Sequence, residues 1–192
     1  MTEPAESFVR DDDEESLPRL RTPDQHAGGE LSIPDGVQVL EGTPAGGRRG
    51  VAVLVAKFNA EITSRLLNGA LEELDRAGVP NDAVTVVPVP GAFELPLAAM
   101  ALAKTRRYAC IVALGCVVRG ETPHFDYVAG EAASGLQLSA LETGVPVAFG
   151  VLTTETVEQA EARVDKGAEA VRTALEMADL FAQLRATAQT HS

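Results

Sequence analysis

Cys110-Ile111-Val112-Ala113-Leu114-Gly115-Cys116-Val117-Val118-Arg119-Gly120-Glu121-Thr122-Pro123-His124-Phe125 is the stretch that decides how this chain is built. An apolar run long enough for a buried strand passes a glycine and gives way to a short polar loop. A helix then opens on Thr-Pro with a histidine in its first turn. Thr122 is a good N-cap, and Pro123 suits the first helical position because its missing N–H would be unpaired there anyway. Free N–H groups and the positive end of the helix dipole then face the loop and make an anion pocket. His124 stands at its lip, so the window suggests a phosphate site with a proton carrier beside it. Thr-Pro helix starts are common and a first-turn histidine is often merely solvated, so the window alone leaves both readings open.

Outward from that stretch the pattern repeats. Residues 51–56 read as an apolar strand, and Ile62, Leu66, Leu67, Ala70, Leu71 and Leu74 mark one face of a helix that Gly78 ends. Residues 84–87 read as a strand stopped by Pro88 and Pro90, and residues 95–103 as a helix with Pro96 in its first turn. The long strand covers residues 108–117 and its helix 123–141; a fourth strand, 145–152, contains Pro146. From Thr154 to about Ala186 the chain reads as helical, and no internal repeat is visible. Strand and helix alternate, and the strands are nearly continuous apolar runs. The prediction is an α/β three-layer sandwich: a central parallel four-stranded sheet, covered on both faces, with right-handed crossovers.

In open sheets of this kind ligands bind beyond the carboxyl ends of the strands, and the unusual residues gather there. Lys57-Phe58-Asn59 follows the first strand, Pro88-Val89-Pro90-Gly91-Ala92-Phe93-Glu94 the second, Arg119 to His124 the third, and Phe149-Gly150-Val151-Leu152-Thr153-Thr154 marks the fourth. All four ends are expected to converge on one edge. No GxGxxG and no Walker lysine loop is present, which leaves dinucleotide and ATP sites without support.

Composition narrows the class further. A chain of 192 residues with 45% hydrophobic content suits one domain with a real core plus a tail. The net charge of −12 is uneven: residues 1–36 carry −7 and the remainder −5, the wrong sign for nucleic acid. Asp11-Asp12-Asp13-Glu14-Glu15 lies among prolines and glycines, so residues 1–36 are expected to be a disordered acidic extension and 37–192 the domain. The extension is read as a solvated tail, or as a segment that docks a partner or lines an assembly surface. Two cysteines and no apolar N-terminal run point to a cytoplasmic protein without signal peptide or membrane span. Cys110 and Cys116 share one strand face about 20 Å apart, too far to bridge, and read as core fillers rather than metal ligands.

Each converging residue has a chemical reading and a plain one. Phe58 can stack on a planar ring or serve the core. Glu94 can accept hydrogen bonds from a polyol or stabilise a helix start. Thr122 and the loop N–H groups can hold phosphate. Arg163 can clamp a phosphate bidentately or be an ordinary exposed arginine. No cysteine–histidine or serine–histidine–aspartate set is apparent, so proton transfer with phosphate release fits better than acyl transfer.

Four motifs in order, Phe58-Asn59, Pro90-Gly91-Ala92-Phe93-Glu94, Arg119-Gly120-Glu121-Thr122-Pro123-His124-Phe125-Asp126-Tyr127-Val128 and Gly150-Val151-Leu152-Thr153-Thr154-Glu155, resemble the lumazine synthase family from about Val37 to Arg185. The resemblance implies a flavodoxin-like fold. It also implies condensation of 5-amino-6-ribitylaminouracil with 3,4-dihydroxy-2-butanone 4-phosphate to 6,7-dimethyl-8-ribityllumazine, phosphate and water, without metal or organic cofactor. On matching positions Phe58 would stack on the pyrimidine, and Ala92, Phe93 and Glu94 would hold the ribityl chain and ring edge. Cys116, Val117 and Val118 would meet the pyrimidine through backbone groups. Glu121 and Thr122 would line the phosphate loop, and His124 would carry protons, as an imidazole titrating near neutral pH can. Phe149 and Arg163, from a neighbouring subunit, would complete the site, with Lys166 beside the arginine. The implied partners are small-molecule substrates, further copies of the chain in a pentamer or icosahedral shell, and riboflavin synthase.

The chain departs from the family in one place. Only Val164-Asp165 separates Arg163 from Lys166-Gly167, where family members have a longer, glycine-containing connection. The change bears on the reach of Arg163, on the role of Lys166 and on contacts near the fivefold axis. Two non-catalytic readings compete: a shell-forming paralogue serving as compartment or scaffold, and a module that stores lumazine or flavin. Residues 37–40 form a strand-like segment too short to stand alone. They precede the loop of Gly42, Pro44, Gly46 and Gly47, read as flexible enough to carry the segment to a neighbour's sheet.

Overall fold

The computed structural model describes residues 31–47 and 50–190. Strands β1 (Val51–Ala56), β2 (Val84–Val89), β3 (Cys110–Val118) and β4 (Val147–Thr154) form one four-stranded sheet in the order β2-β1-β3-β4, every pair parallel. Helices α1 (Ala60–Arg76), α2 (Leu95–Lys104), α3 (His124–Thr143), α4 (Val157–Glu161) and α5 (Lys166–Thr190) follow their strands. The period-2 alternation of strand side chains sends them into two cores. Val51, Val53, Val55, Val112 and Leu114 pack with Leu66, Leu74, Val171 and Leu175 of α1 and α5. Ala52, Leu54, Ile111 and Ala113 pack with Leu95, Ala99, Ala132 and Leu136 of α2 and α3. This is the three-layer sandwich that the alternation predicts, flavodoxin-like as the resemblance implies, and its apolar strands are runs because both faces are covered.

Four boundaries differ from the sequence reading. β2 runs through Pro88, which pairs with Val55; as an edge strand, β2 needs no donor on its outer side, so the proline does not stop it. β4 begins after Pro146, whose carbonyl accepts from the Ile111 N–H at 2.9 Å. α3 begins at His124 with Pro123 as its N-cap residue and no side-chain cap, so Thr122 does not cap it. Finally, the helix expected beyond Thr154 is two helices. Thr156 caps α4 by accepting from the Gln159 N–H at 3.3 Å, and the chain then turns through residues 162–165 before α5 starts.

The glycine-rich loop behind residues 37–40 is anchored rather than loose. A Cβ on Gly42 would lie 2.0 Å from the Glu176 carbonyl oxygen, so only glycine lets this backbone sit on α5. The Thr43 N–H donates to Asp179 at 3.1 Å, Gln183 donates to the Glu41 carbonyl at 2.8 Å, and the Gly46 N–H donates to the Ala77 carbonyl at 2.9 Å. Residues 37–41 themselves form no strand within the chain, and Val37, Val39 and Leu40 are exposed. The acidic run 11–15 lies outside the described residues. Among the described residues no helix is long and apolar enough to cross a membrane.

Candidate active site

The carboxyl ends of β1, β2 and β3 and the start of α3 enclose a cleft of about 610 Å³. Its lining includes nine residues singled out from sequence: Phe58, Ala92, Phe93, Glu94, Cys116, Val117, Val118, Thr122 and His124. Pro90, Gly91, Gly120, Phe125, Tyr127 and Val128 complete the wall. Glu121 is exposed on the loop between Gly120 and Thr122 but does not line the cleft.

Backbone hydrogen bonds hold the aromatic end in place. The Lys57 N–H donates to the Val89 carbonyl at 2.8 Å and the Phe58 N–H to the Pro90 carbonyl at 3.0 Å, which extends the β1–β2 ladder past both strand ends. Phe58 is therefore presented at the rim, 71% exposed, and is not a core residue. Asn59 then takes a left-handed conformation, φ 56° and ψ 46°, which asparagine tolerates better than most residues. Its side chain caps no helix; Nδ2 donates instead to the Cys116 carbonyl at 2.9 Å and ties the end of β1 to the end of β3.

Gly91 opens a one-turn 3₁₀ segment, Ala92–Glu94, that leads into α2. A Cβ on Gly91 would sit 3.1 Å from Glu94 Oε2, so the glycine leaves room for the carboxylate at the cleft. Phe93 stands beside it, 56% exposed. The Cys116 side chain belongs to the α1/α5 core, so what it gives the cleft is main chain. Burial pushes its thiol pKa up, against a smaller opposing effect of the Asn59 amide, which disfavours thiolate chemistry. At the far end no side chain caps α3; the Asp126 N–H donates to the Pro123 carbonyl at 3.0 Å, and Gly120, Thr122, His124 and Phe125 line the cleft there.

Arg119 belongs to the third motif, and its sequence neighbours mark no role for it. Its N–H donates to the Thr154 carbonyl at 2.9 Å. Its guanidinium reaches Glu155 at 2.8 Å and Asp126 at 3.0 Å and lies 4.1 Å from the Phe125 ring centre. Pairing with Glu155 first, and Asp126 second, raises its pKa above the ordinary arginine range.

Not all four strand ends converge, contrary to the sequence expectation. Phe149, Arg163 and Lys166 line a separate cavity of about 410 Å³ along β4, with Thr153, Thr154 and Glu169. β4 is the sheet edge, so Phe149, 46% exposed, has no further strand beside it among the described residues. Arg163 lies in the turn between α4 and α5, where Nη1 donates to the Gln159 carbonyl at 2.8 Å, and Lys166 pairs with Glu169. No group of three or more histidine, cysteine or acidic side chains among the described residues is placed to hold a metal ion.

The family model described as 6,7-dimethyl-8-ribityllumazine synthase matches residues 49–182. The chain is 52% identical over 155 residues to the 6,7-dimethyl-8-ribityllumazine synthase of Yersinia pestis (strain Pestoides F), an alignment covering 78% of this chain and 99% of that protein. The enzyme of the same name from Yersinia pseudotuberculosis serotype O:1b (strain IP 31758) gives the same figures. The matched span contains all four strands and every residue of both cavities, and the chain belongs to the 6,7-dimethyl-8-ribityllumazine synthase family.

Proposed function

We propose that this chain is a lumazine synthase that joins 5-amino-6-(D-ribitylamino)uracil to 3,4-dihydroxy-2-butanone 4-phosphate, releasing 6,7-dimethyl-8-ribityllumazine, phosphate and water in riboflavin biosynthesis. The observation that carries the reading is the single cleft uniting Phe58, Phe93, Glu94, the β3 main chain, Thr122 and His124. An aromatic rim suits a flat pyrimidine, and main-chain groups of residues 116–118 suit its amide edge. Glu94 suits the ribityl hydroxyls. The uracil amine attacks the ketone carbonyl, and loss of water leaves an imine. The phosphate that departs carries about two negative charges, which the open start of α3 is placed to stabilise. His124 moves protons between these steps. Much of the acceleration comes from holding two substrates in register.

In this reading the domain is residues 37–192 and the chain works in the cytoplasm as a homo-oligomer, a pentamer or an assembly of pentamers. Phe149 and Arg163 of one copy face the cleft of the next. Their position on the open β4 edge, apart from the cleft, supports this arrangement, as do the exposed apolar side chains of residues 37–41. Residues 37–41 then pair with a neighbouring sheet, starting from the anchor at Gly42 and Thr43. Riboflavin synthase is the partner that would take up the product. Incubation of the purified chain with both substrates tests the reading. A fluorescent lumazine is expected; binding of lumazine without its formation would leave a scaffold or storage module instead.

A further inference from the structure

The strongest unexplained feature is Arg119, and the inference from it rests on the lumazine synthase reading of the cleft. It is the one lysine or arginine in residues 108–162. It stands where three carboxylates surround the loop that would hold phosphate: Glu121 on the loop, Asp126 in the first turn of α3 and Glu155 beyond β4. A carboxylate in a helix's first turn occupies the positive end that an anion would use. Left alone, Asp126 would compete with a phosphate dianion and repel it.

The side chain answers both problems through one planar group. Nε meets Glu155 at 2.8 Å and Nη1 meets Asp126 at 3.0 Å, while the guanidinium face stacks on Phe125 at 4.1 Å. The backbone N–H of the same residue is hydrogen-bonded to Thr154. The loop is thus tied to the end of β4 on one side and to α3 on the other. Two of the guanidinium nitrogens are already committed to protein carboxylates. We infer that Arg119 is a positioning residue for the phosphate end of the site: it fixes the shape of loop 120–123 and cancels Asp126 and Glu155, so that the loop and helix N–H groups stay open to the phosphate. A lysine could supply the charge but not the fork or the stack.

The test uses the assembled full-length enzyme and varies both substrates. Arg119→Gln should raise KM for the phosphorylated ketone, and the inhibition constant of inorganic phosphate, by about fivefold to tenfold, with KM for the uracil within about twofold. Arg119→Lys should fall between Gln and the native residue. Adding Asp126→Asn and Glu155→Gln to Arg119→Gln should recover most of the lost affinity, because the charges to be cancelled are gone. Equal rises for both substrates, or a triple variant no better than the single one, would overturn the inference. Phosphorus NMR line-broadening of inorganic phosphate separates this from the functional reading. If the native chain made no lumazine, that reading alone would fall. Broadening lost in Arg119→Gln would still support the role argued here, and broadening equal in both proteins, or absent from both, would sink it.

Discussion

The cleft at the ends of β1, β2 and β3 and the cavity along β4 carry two parts of one proposed site, and they are built in different ways. The cleft is locked by bonds between segments distant in sequence, Phe58 to Pro90, Asn59 to Cys116 and Arg119 to Glu155, and by the nearer pair of Arg119 with Asp126. The β4 cavity presents Arg163 and Lys166, each held within its own stretch of chain by Gln159 and Glu169. One part joins an aromatic rim to a carboxylate and to main-chain groups of β3. The other supplies cations and an exposed phenylalanine that face no partner group of the cleft. The contrast fits the proposed site: the groups proposed for the ring and the polyol lie together in one chain's cleft, whereas Phe149, Arg163 and Lys166 lie apart from it along β4.

The largest effect is expected from removing what joins two copies. Deleting residues 1–36 should leave oligomer and catalysis intact, while deleting 1–42 also removes the exposed 37–41 segment and should weaken both. Native mass and initial rates check this, and a fully active, equally heat-stable oligomer after the longer cut would break the comparison. Next, His124→Ala should lower kcat by about a hundredfold without abolishing turnover, since positioning and phosphate binding persist. Activity below detection in a folded, assembled variant would contradict it.

A mixing experiment sharpens the comparison directly. Glu94→Ala damages only the cleft and Arg163→Ala only the β4 edge, so each alone should be strongly impaired. In a randomly mixed homo-oligomer with a head-to-tail interface, about a quarter of the junctions pair an intact cleft with an intact edge. Co-expression should restore about that fraction of native activity. Failure of the mixed assemblies to exceed either parent would mean that both cavities serve one chain. The smallest effect is expected from Arg163→Lys, which keeps the charge and loses the planar fork. KM for the phosphorylated ketone should rise about threefold to tenfold, with little change for the uracil. An unchanged enzyme would show that the short connection to Lys166 has carried this residue out of the site.

Residue type and spacing made most of the cleft legible. Phe58, Glu94, Thr122 and His124 each follow a strand end, and a parallel sheet brings three such ends together whatever the details of register. Asn59 and Arg119 were visible but mute. Nothing local marks an asparagine as left-handed and bonded to a carbonyl 57 positions away, or an arginine as shared between Asp126 and Glu155. Of the four strand ends expected to converge, the one that stays apart is the Phe149 segment. Phe149 lies early in β4, and the edge strand turns it away from the cleft.

By itself the sequence determined the alternation of strand and helix, the burial of the strands on both faces and the loops that carry chemistry. These follow from periodicity and turn residues, which act over a few positions. Only the tertiary structure decided that Pro88 stays in β2, that Thr122 is left uncapping and free to line the cleft, and that the last helical region breaks at residues 162–165. It alone placed Arg163 on the far cavity and anchored Gly42 on α5. Each of these depends on which backbone N–H and carbonyl groups meet across the sheet and between helices. Such pairings are set by long-range packing, which no local pattern encodes.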